Sequence, residues 1–561
     1  MPSIRKPSHA AEELERRKKA SPNKSIIVVF VVIIAVLVVG FGLYVRFGGK
    51  EEPTEMVAPP AEEPIKSIAV LPFVNMSADE EQEYFCDGIA EEILNALTQV
   101  KSLKVPARTS SFAFKGQQKD IREIGQALNV EAVLEGSVRK VDNQLRITAQ
   151  LSKVSDGYHL WSQTYDEELE NVFAIQEEIA LAVVNALKVT LLGEEKAAIE
   201  KRYTENSEAY ELYLLGRHYW TLRNFGQREE REEMVRKGLE NLQKAVEKDP
   251  DFALAYTGIA DSYHILGFRG YMPREEAYKK GKEAVEKALE LDNTLAEVHV
   301  SLGWIGEFKD IDMPTAGREF KHAVELNPNS VIAHYYYGGH LRNMGRYNEA
   351  LDEKKRARVL DPLNPISYGH IISISWLMDR YDEAIKECYK AIEIFPKAPS
   401  FYIDLILIYC KQGKYNEAIQ AVQLGRKNLE DSTFGSTWGV RLGYIYALSG
   451  ERAKAEEIIA KLPQKENLLS IARIYGALGE KEKAEDILQE LIEQGDINPG
   501  TIARIYADWG ELDKAIDWWE KLYEEHPGRL VQDIRYSENY NKNIRSHPRY
   551  IALLKKLGME E

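Results

Sequence analysis

Hydrophobic positions along this 561-residue chain fall into three successive patterns. The first is an unbroken run, IIVVFVVIIAVLVVGFGLYV, from Ile26 to Val45, without a single charge. At 1.5 Å per residue a helix of that run is about 30 Å long, the thickness of a bilayer's hydrocarbon layer. It predicts one transmembrane helix over 25–46. A cleaved export signal has a shorter apolar stretch and a small-x-small site, and LYVRFGGKEE, which follows, contains none. The second pattern, 66–190, alternates short apolar runs with helical spacing. The third, from 205 onward, is helical throughout, with small and aromatic residues returning about every 34 positions. The expected fold is a small α/β domain plus an all-α superhelical solenoid, preceded by one N-terminal transmembrane helix.

Within 66–190, Ser67 to Phe73 reads as a buried strand. Phe85, Ile89, Ile93, Leu94 and Leu97 share one face of a helix over 81–100. Leu103 to Pro106 reads as a second short strand, and 120–128 as a helix with Asp120 as N-cap. Residues 132–140 and 144–153 alternate around Asp142-Asn143, a hairpin signal. Another strand over 158–165 and an amphipathic helix over 171–187 complete the set. The segments SIAVLPFVNMSADEEQEYFCDGIAEEILNAL, VPARTSSFAFKG, DIREIGQALNVEAVLEGSVRK, LRITAQLSKVSDGYHLWSQTYD and VFAIQEEIA together resemble the TolB-amino-terminal-like domain, also called the FlgO-like domain. The resemblance covers essentially all of 66–190. It implies a domain that precedes tetratricopeptide repeats and often follows an adenylate or guanylate cyclase or a winged-helix DNA-binding module. Only 65 residues stand before it here, so the resemblance implies an architecture and carries no catalytic activity.

In the third stretch, with Val331 as position 1, Gly338, Ala350, Ala357 and Pro362 fall on positions 8, 20, 27 and 32. Ala384, Ala391 and Pro396 repeat those offsets, and earlier units show Gly216, Ala260 and Gly303 in the small position. Small residues let paired helices approach closely, and proline ends the second helix. The pattern resembles the tetratricopeptide (TPR) family, with about nine units over 205–528. Each unit buries its apolar face only against a neighbour. Residues 529–561 are expected to cap the last one. The resemblance implies that the first helix of each pair lines a concave groove through positions 2, 5, 9, 12 and 13. Counting from Val331 these are Ile332, Tyr335, Gly339, Arg342 and Asn343; counting from Pro365 they include Ser373, Trp376 and Leu377. Tyr335, Arg342, Asn343 and Trp376 are the residue types that anchor a partner, and they form the candidate partner-binding set.

Charge adds an orientation. Residues 1–24 hold seven Lys or Arg against three Glu, and the net charge of −16 leaves the rest at −20. The positive-inside bias predicts a basic cytoplasmic tail (1–24), a bilayer contact through 26–45 in the inner cell membrane, and the bulk of the chain on the periplasmic or extracellular side. A Glu- and Pro-rich linker (47–65) would tether it. An acidic body argues against nucleic acid as partner.

Chemistry is sparse. There is no HExxH, GxxxxGK or GxSxG sequence, and the three cysteines are far apart. No catalytic residue, cofactor or metal site is expected. The one polar cluster after a strand, Arg108, Thr109, Ser110 and Ser111, has the composition of an anion site or of a solvated connection. The function that fits is a protein or peptide scaffold without catalysis. The alternative is a sensor whose α/β domain binds a small molecule or nucleotide while the repeats relay.

Overall fold

The computed structural model describes residues 32, 35–40, 64–224, 226–430, 437–463, 466–495, 497–539 and 541–559. It divides into two units, Met1–Glu63 and Pro64–Glu561. In the first unit only 32 and 35–40 are described, all helical, so most of the expected span, with the tail and nearly all of the linker, lies outside the described residues. Among the described residues no helix is long and apolar enough to cross a membrane. This overturns the expected single-pass placement in an inner membrane. An uncharged run of spanning length is necessary for a crossing, but the helix that would fill it is not among the described elements.

The second unit opens on a five-stranded sheet. Strands β3 (Ala132–Val141) and β4 (Gln144–Lys153) form the expected hairpin, in register from Ala132↔Lys153 to Val141↔Gln144, with Asp142 at φ 51° in the turn. Strand β5 (His159–Glu168) extends it antiparallel, while β1 (Ile68–Val70) and β2 (Val74–Asn75) both run parallel to β3. The strand expected at 103–106 shrinks to a single bridge, Ser67 to Lys104; Pro106 has no N–H to continue a ladder. Helices Glu83–Thr98 and Val172–Ala186 bury Phe85, Ile89, Ile93, Ile179 and Val183 against Ile68, Val70, Leu134 and Ile147. Helix Ile121–Leu128, capped by Asp120 accepting from the Arg122 N–H, sets Ile124 and Leu128 on Ala69 and Val133 of the other face.

Nine consecutive helix pairs follow among the described residues, from Ser207–Leu222 with Arg228–Lys248 to Pro499–Trp509 with Leu512–Glu525. The small positions do what their spacing predicts. A Cβ on Gly338 would stand 3.0 Å from the Glu353 Cβ and 3.2 Å from the Ala350 carbonyl oxygen, so the fourth pair (Val331–Asn343 with Tyr347–Leu360) closes only around glycine. In the fourth pair the turn between helices needs positive φ, and Gly345 (78°) supplies it; one period on, Asp379 (59°) stands at the same place.

Two closures give the repeats a shape that their period does not contain. The sheet core runs without a break into the first pairs, through Tyr210, Leu214, Leu242, Ala260 and Leu295. At the other end, segment 527–559 does more than cap the ninth pair. Helix Pro527–Ser537 packs on the Gly306–Asp310 turn and on helix Val331–Asn343. The Arg535 Nε donates to the Asn343 carbonyl (3.1 Å), and an Arg545 guanidinium N–H donates to the Leu377 carbonyl (3.0 Å). The chain's end therefore lies against its middle.

Candidate partner-binding site

Of the four residues expected in the groove, Asn343 and Trp376 are buried and Tyr335 and Arg342 half-buried. Asn343 is 1% exposed; its amide donates to the buried Glu307 and its oxygen accepts from Arg342 (2.8 Å). Trp376 is buried among Tyr368, Ile372 and Ala384 in the fifth pair (Pro365–Leu377 with Tyr381–Ile394). Tyr335 is half-buried, meets His370 through its hydroxyl (3.2 Å), and lies under the Lys354 ammonium, 3.9 Å from the ring centre. Of the set, Arg342 and Tyr335 keep partial exposure. The physical reasons differ: Trp376 packs in the core between neighbouring pairs, while Asn343 is held by Glu307 and Arg342 and its carbonyl is taken by Arg535 of the terminal segment.

Lys354 is itself buried, with its ammonium donating to the Tyr335 carbonyl oxygen (2.5 Å). Burial, then the nearby Arg342 charge, holds its pKa well below the ordinary lysine value. A lysine depressed in the folded state binds fewer protons there than when unfolded, so it weakens the fold increasingly as pH falls below about 10. Lys354→Met is therefore expected to raise the urea midpoint. The gain, of about 1 kcal/mol near neutrality, should shrink as pH approaches 10. A midpoint lowered equally at both pH values would show that the ammonium contributes to stability.

The polar cluster after the strand is also spent inside the molecule. Arg108 pairs with Glu91 (2.9 Å) and Asp87 (3.6 Å). Ser110 is fully buried, donates to Asp361 and accepts from the Leu363 N–H (2.9 Å). Ser111 is buried, and Thr109 alone faces solvent. With Arg108 held by two carboxylates and Ser110 tied to the end of helix Tyr347–Leu360, the cluster is a seam between sheet region and repeats. An anion would have to displace Glu91 and Asp87.

An open site does exist, at the other end of the array. A cleft of about 590 Å³ lies between the sheet region and the first three pairs. Its roof is Glu92, Asn95 and Thr98 of helix Glu83–Thr98, with Phe173 and Gln176 from helix Val172–Ala186. One wall is the connector 199–204. The floor comes from the first helices of three pairs: Tyr210, Tyr213 and Arg217 of Ser207–Leu222; Leu254, Thr257 and Asp261 of Ala253–Phe268; and Glu297 of Ala296–Ile305. With the small residues Gly216, Ala260 and Gly303 on position 8, these are positions 2, 5 and 9, the register that the repeat pattern assigns to a groove. Sequence reasoning applied that register to the fourth and fifth pairs and so missed these residues. Applied one to three periods earlier, it names them.

Eight carboxylates and four cations line the cleft. Arg217 is turned to Glu91 (3.4 Å), Lys201 to Asp292 (2.5 Å), and Arg202 to Glu177 (3.8 Å). Glu92, Asp261 and Glu297 make no ion pair among the described residues; Glu92 accepts only from Asn95 (3.3 Å) and Asp261 only from Ser301 (3.2 Å). Desolvation, and then the Glu91 charge, pushes the Glu92 carboxyl up to about 7; desolvation pushes Asp261 up to about 6 and raises Glu297. Gln176 donates to the Tyr210 hydroxyl (2.6 Å), whose ring meets Phe173 edge-on. Tyr213 is 5% exposed, lies against Phe252, and its hydroxyl makes no hydrogen bond within the described residues.

Comparison with known proteins places two stretches in tetratricopeptide-repeat models, residues 376–433 and 466–494. The chain thus carries tetratricopeptide repeats. A relative named "Putative adenylate cyclase 3" of Rhizobium meliloti (strain 1021) is 42% identical over 212 residues, 38% of this chain and 35% of that protein. The match spans about a third of the relative's length. Among solved structures, PilF of Pseudomonas aeruginosa is similar at 20% identity and TM-score 0.30, covering 41% of this chain and 97% of that one. Yeast Tom70 is similar at 16% identity and TM-score 0.34, covering 70% and 82%.

Proposed function

We propose that this chain is an adaptor without turnover of its own, which holds a segment of a partner protein in the cleft between its sheet region and its first three helix pairs. One observation carries the reading: groove positions 2, 5 and 9 of successive repeats converge on an open cleft of about 590 Å³. Tetratricopeptide repeats at 376–433 and 466–494 support an interaction role. In this reading 66–190 is a TolB-amino-terminal-like roof, 205–528 the array, and 529–561 a segment that closes the middle of the groove and leaves its first part open. Nucleotide sensing is the weaker reading. Eight carboxylates against four cations line the cleft, and that excess of negative charge repels phosphate. The same acidity disfavours nucleic acid.

The test fills the cleft. Thr257 lines its floor, and Thr257→Trp puts an indole into it. With a partner identified by in-cell photo-crosslinking from position 257, the full-length Trp variant is expected to bind at least about 30-fold more weakly, the size of a hot-spot loss. Its circular dichroism should stay that of the parent. Unchanged affinity in a folded variant would mean that the partner binds elsewhere.

A further inference from the structure

We propose that the cleft recognises a cationic side chain, the ammonium of a lysine on the partner segment, held between Glu92, Asp261 and Glu297. The inference rests on the cleft being the partner site and adds the chemistry that enters it. The first observation is the imbalance of charge. The three carboxylates lie in one concave site and none has an ion pair among the described residues; of the four cations on the walls, Arg217, Lys201 and Arg202 serve Glu91, Asp292 and Glu177, Arg217 also bears on all three acids, and Lys101 makes no ion pair among the described residues. Carboxylates that outnumber the cations beside them repel one another, with Arg217 their shared counter-charge, and an arriving cation relieves that repulsion. Each carboxyl is raised chiefly by desolvation, with neighbouring acids adding to the rise and Arg217 opposing it.

The second observation is independent of the acids. Tyr213 is 95% removed from solvent, its hydroxyl has no hydrogen-bond partner within the described residues, and its titration is governed, after burial, by Glu92, Arg217, Glu91 and Glu297. The hydroxyl therefore sits among the acids with a free lone pair, positioned to accept from an ammonium. Tyr210 and Phe173 supply aromatic wall beside it, suited to an alkyl stem. A compact, rotatable ammonium on four methylenes can meet acids on both sides of the cleft, Glu92 in its roof and Asp261 and the exposed Glu297 on its floor.

The groups that face Glu92 fix the pH behaviour. They are Glu91 on its own helix, Tyr203 on the connector, Tyr210, Tyr213 and Arg217 on the first pair, and Glu297 on the third. Of these, the two other carboxylates favour a protonated Glu92, and Arg217 opposes them. Proton and ammonium thus compete for the site, and affinity for the cation should rise as pH passes from 6 to 8.

The experiment uses the full chain and three probes: the peptide acetyl-Gly-Gly-Lys-Gly-Gly-amide, the same peptide with Gln for Lys, and free 1,5-diaminopentane. Binding is read by calorimetry and by tyrosine fluorescence. The Lys peptide is expected to bind with Kd at or below about 1 mM, at least about tenfold tighter than the Gln peptide, and tighter at pH 8 than at pH 6. The variant Glu92→Gln/Glu297→Gln, near-isosteric and folded by circular dichroism, should lose at least about tenfold for the Lys peptide. Equal binding of the two peptides, no binding of either, or a wild-type affinity in the double variant would overturn the proposal. Saturable binding of the diamine with none of the Lys peptide would overturn the partner-segment source. A partner lost on Thr257→Trp but indifferent to Glu92→Gln/Glu297→Gln would sink the cation and leave the cleft as the partner site. Should the double variant fail to fold, the Lys-to-Gln contrast and the pH profile on the wild-type chain decide the matter alone.

Discussion

Glu538→Ala is expected to lower the unfolding free energy by about 3–5 kcal/mol and to release 527–559 from the middle pairs, because it strands the mostly buried Arg535 guanidinium. The Glu538 carboxylate is fully buried. It takes Arg535 at 3.0 Å, Arg545 at 2.6 Å, and the hydroxyls of Tyr347 (3.1 Å) and Tyr550 (2.8 Å). Four donors on one carboxylate satisfy it completely, and they come from the fourth pair and from both parts of the terminal segment. The same two arginines carry the contacts to the carbonyls of Asn343 and Leu377. Removing the carboxylate thus leaves Arg535, 13% exposed at its side chain, uncompensated and loosens the whole closure. Glu538→Gln keeps an acceptor and should cost less, about 1–3 kcal/mol. Amide hydrogen exchange followed by mass spectrometry checks the direction. Faster exchange confined to 527–559 and 331–343 is the expected result. Wild-type protection in both segments of Glu538→Ala would show that apolar packing of Leu530, Val531 and Ile534 holds the closure by itself.

Much of this architecture is legible in the amino-acid sequence because it is local. The hairpin turns at Asp142, the Asp120 cap forms, and the helix pairs recur with glycine or alanine at their closest approach. Each depends on residues a few positions apart or on a period that repeats. The closures depend on neither. The Arg535 contact reaches back 192 residues, and the Ser110 to Asp361 contact 251. Nothing in a 34-residue period states how far a superhelix turns before its end meets its middle, since small rotations per repeat accumulate.

The same limit explains the candidate site. The groove register of positions 2, 5 and 9 holds along the array, but openness is a tertiary property. At the fourth pair the register ends at position 13, Asn343, whose carbonyl is taken by Arg535 of the terminal segment; at the first three, positions 2, 5 and 9 include Tyr213, Asp261 and Glu297 and meet a cleft. Polar residue types misled for a related reason. Arg108 and Ser110 look available in sequence because their partners, Glu91, Asp87 and Asp361, come from other elements. Conversely Asn329, a plain helix-connecting residue in sequence, makes more long-range hydrogen bonds than either.

Asn329→Asp should be the most damaging single change on the sheet side of the array. Asn329 is 3% exposed, and its amide nitrogen donates to the carbonyls of Thr98 (3.1 Å), Val100 (3.1 Å) and Leu103 (3.0 Å). These three form the turn after helix Glu83–Thr98, and the neighbouring Asn327 adds a bond to the Thr98 hydroxyl (3.2 Å). One side chain of the repeat array thus satisfies the exit of a helix in the sheet region. Asn329→Ala removes the donor and leaves buried carbonyls short of a partner, at about 1–3 kcal/mol. Asn329→Asp keeps the volume but turns the donor into an anion facing three carbonyl oxygens, so its loss should exceed that of Ala, at about 3 kcal/mol or more. The order Asp worse than Ala separates hydrogen bonding from packing, because Ala loses more volume. Urea unfolding at neutral pH measures both variants, and the Asp penalty should shrink at pH 4, where protonation restores a donor. If Ala proves the worse of the two, shape rather than the three carbonyls fixes the sheet region on the repeats, and the cleft that lies beneath the same helix owes its form to packing alone.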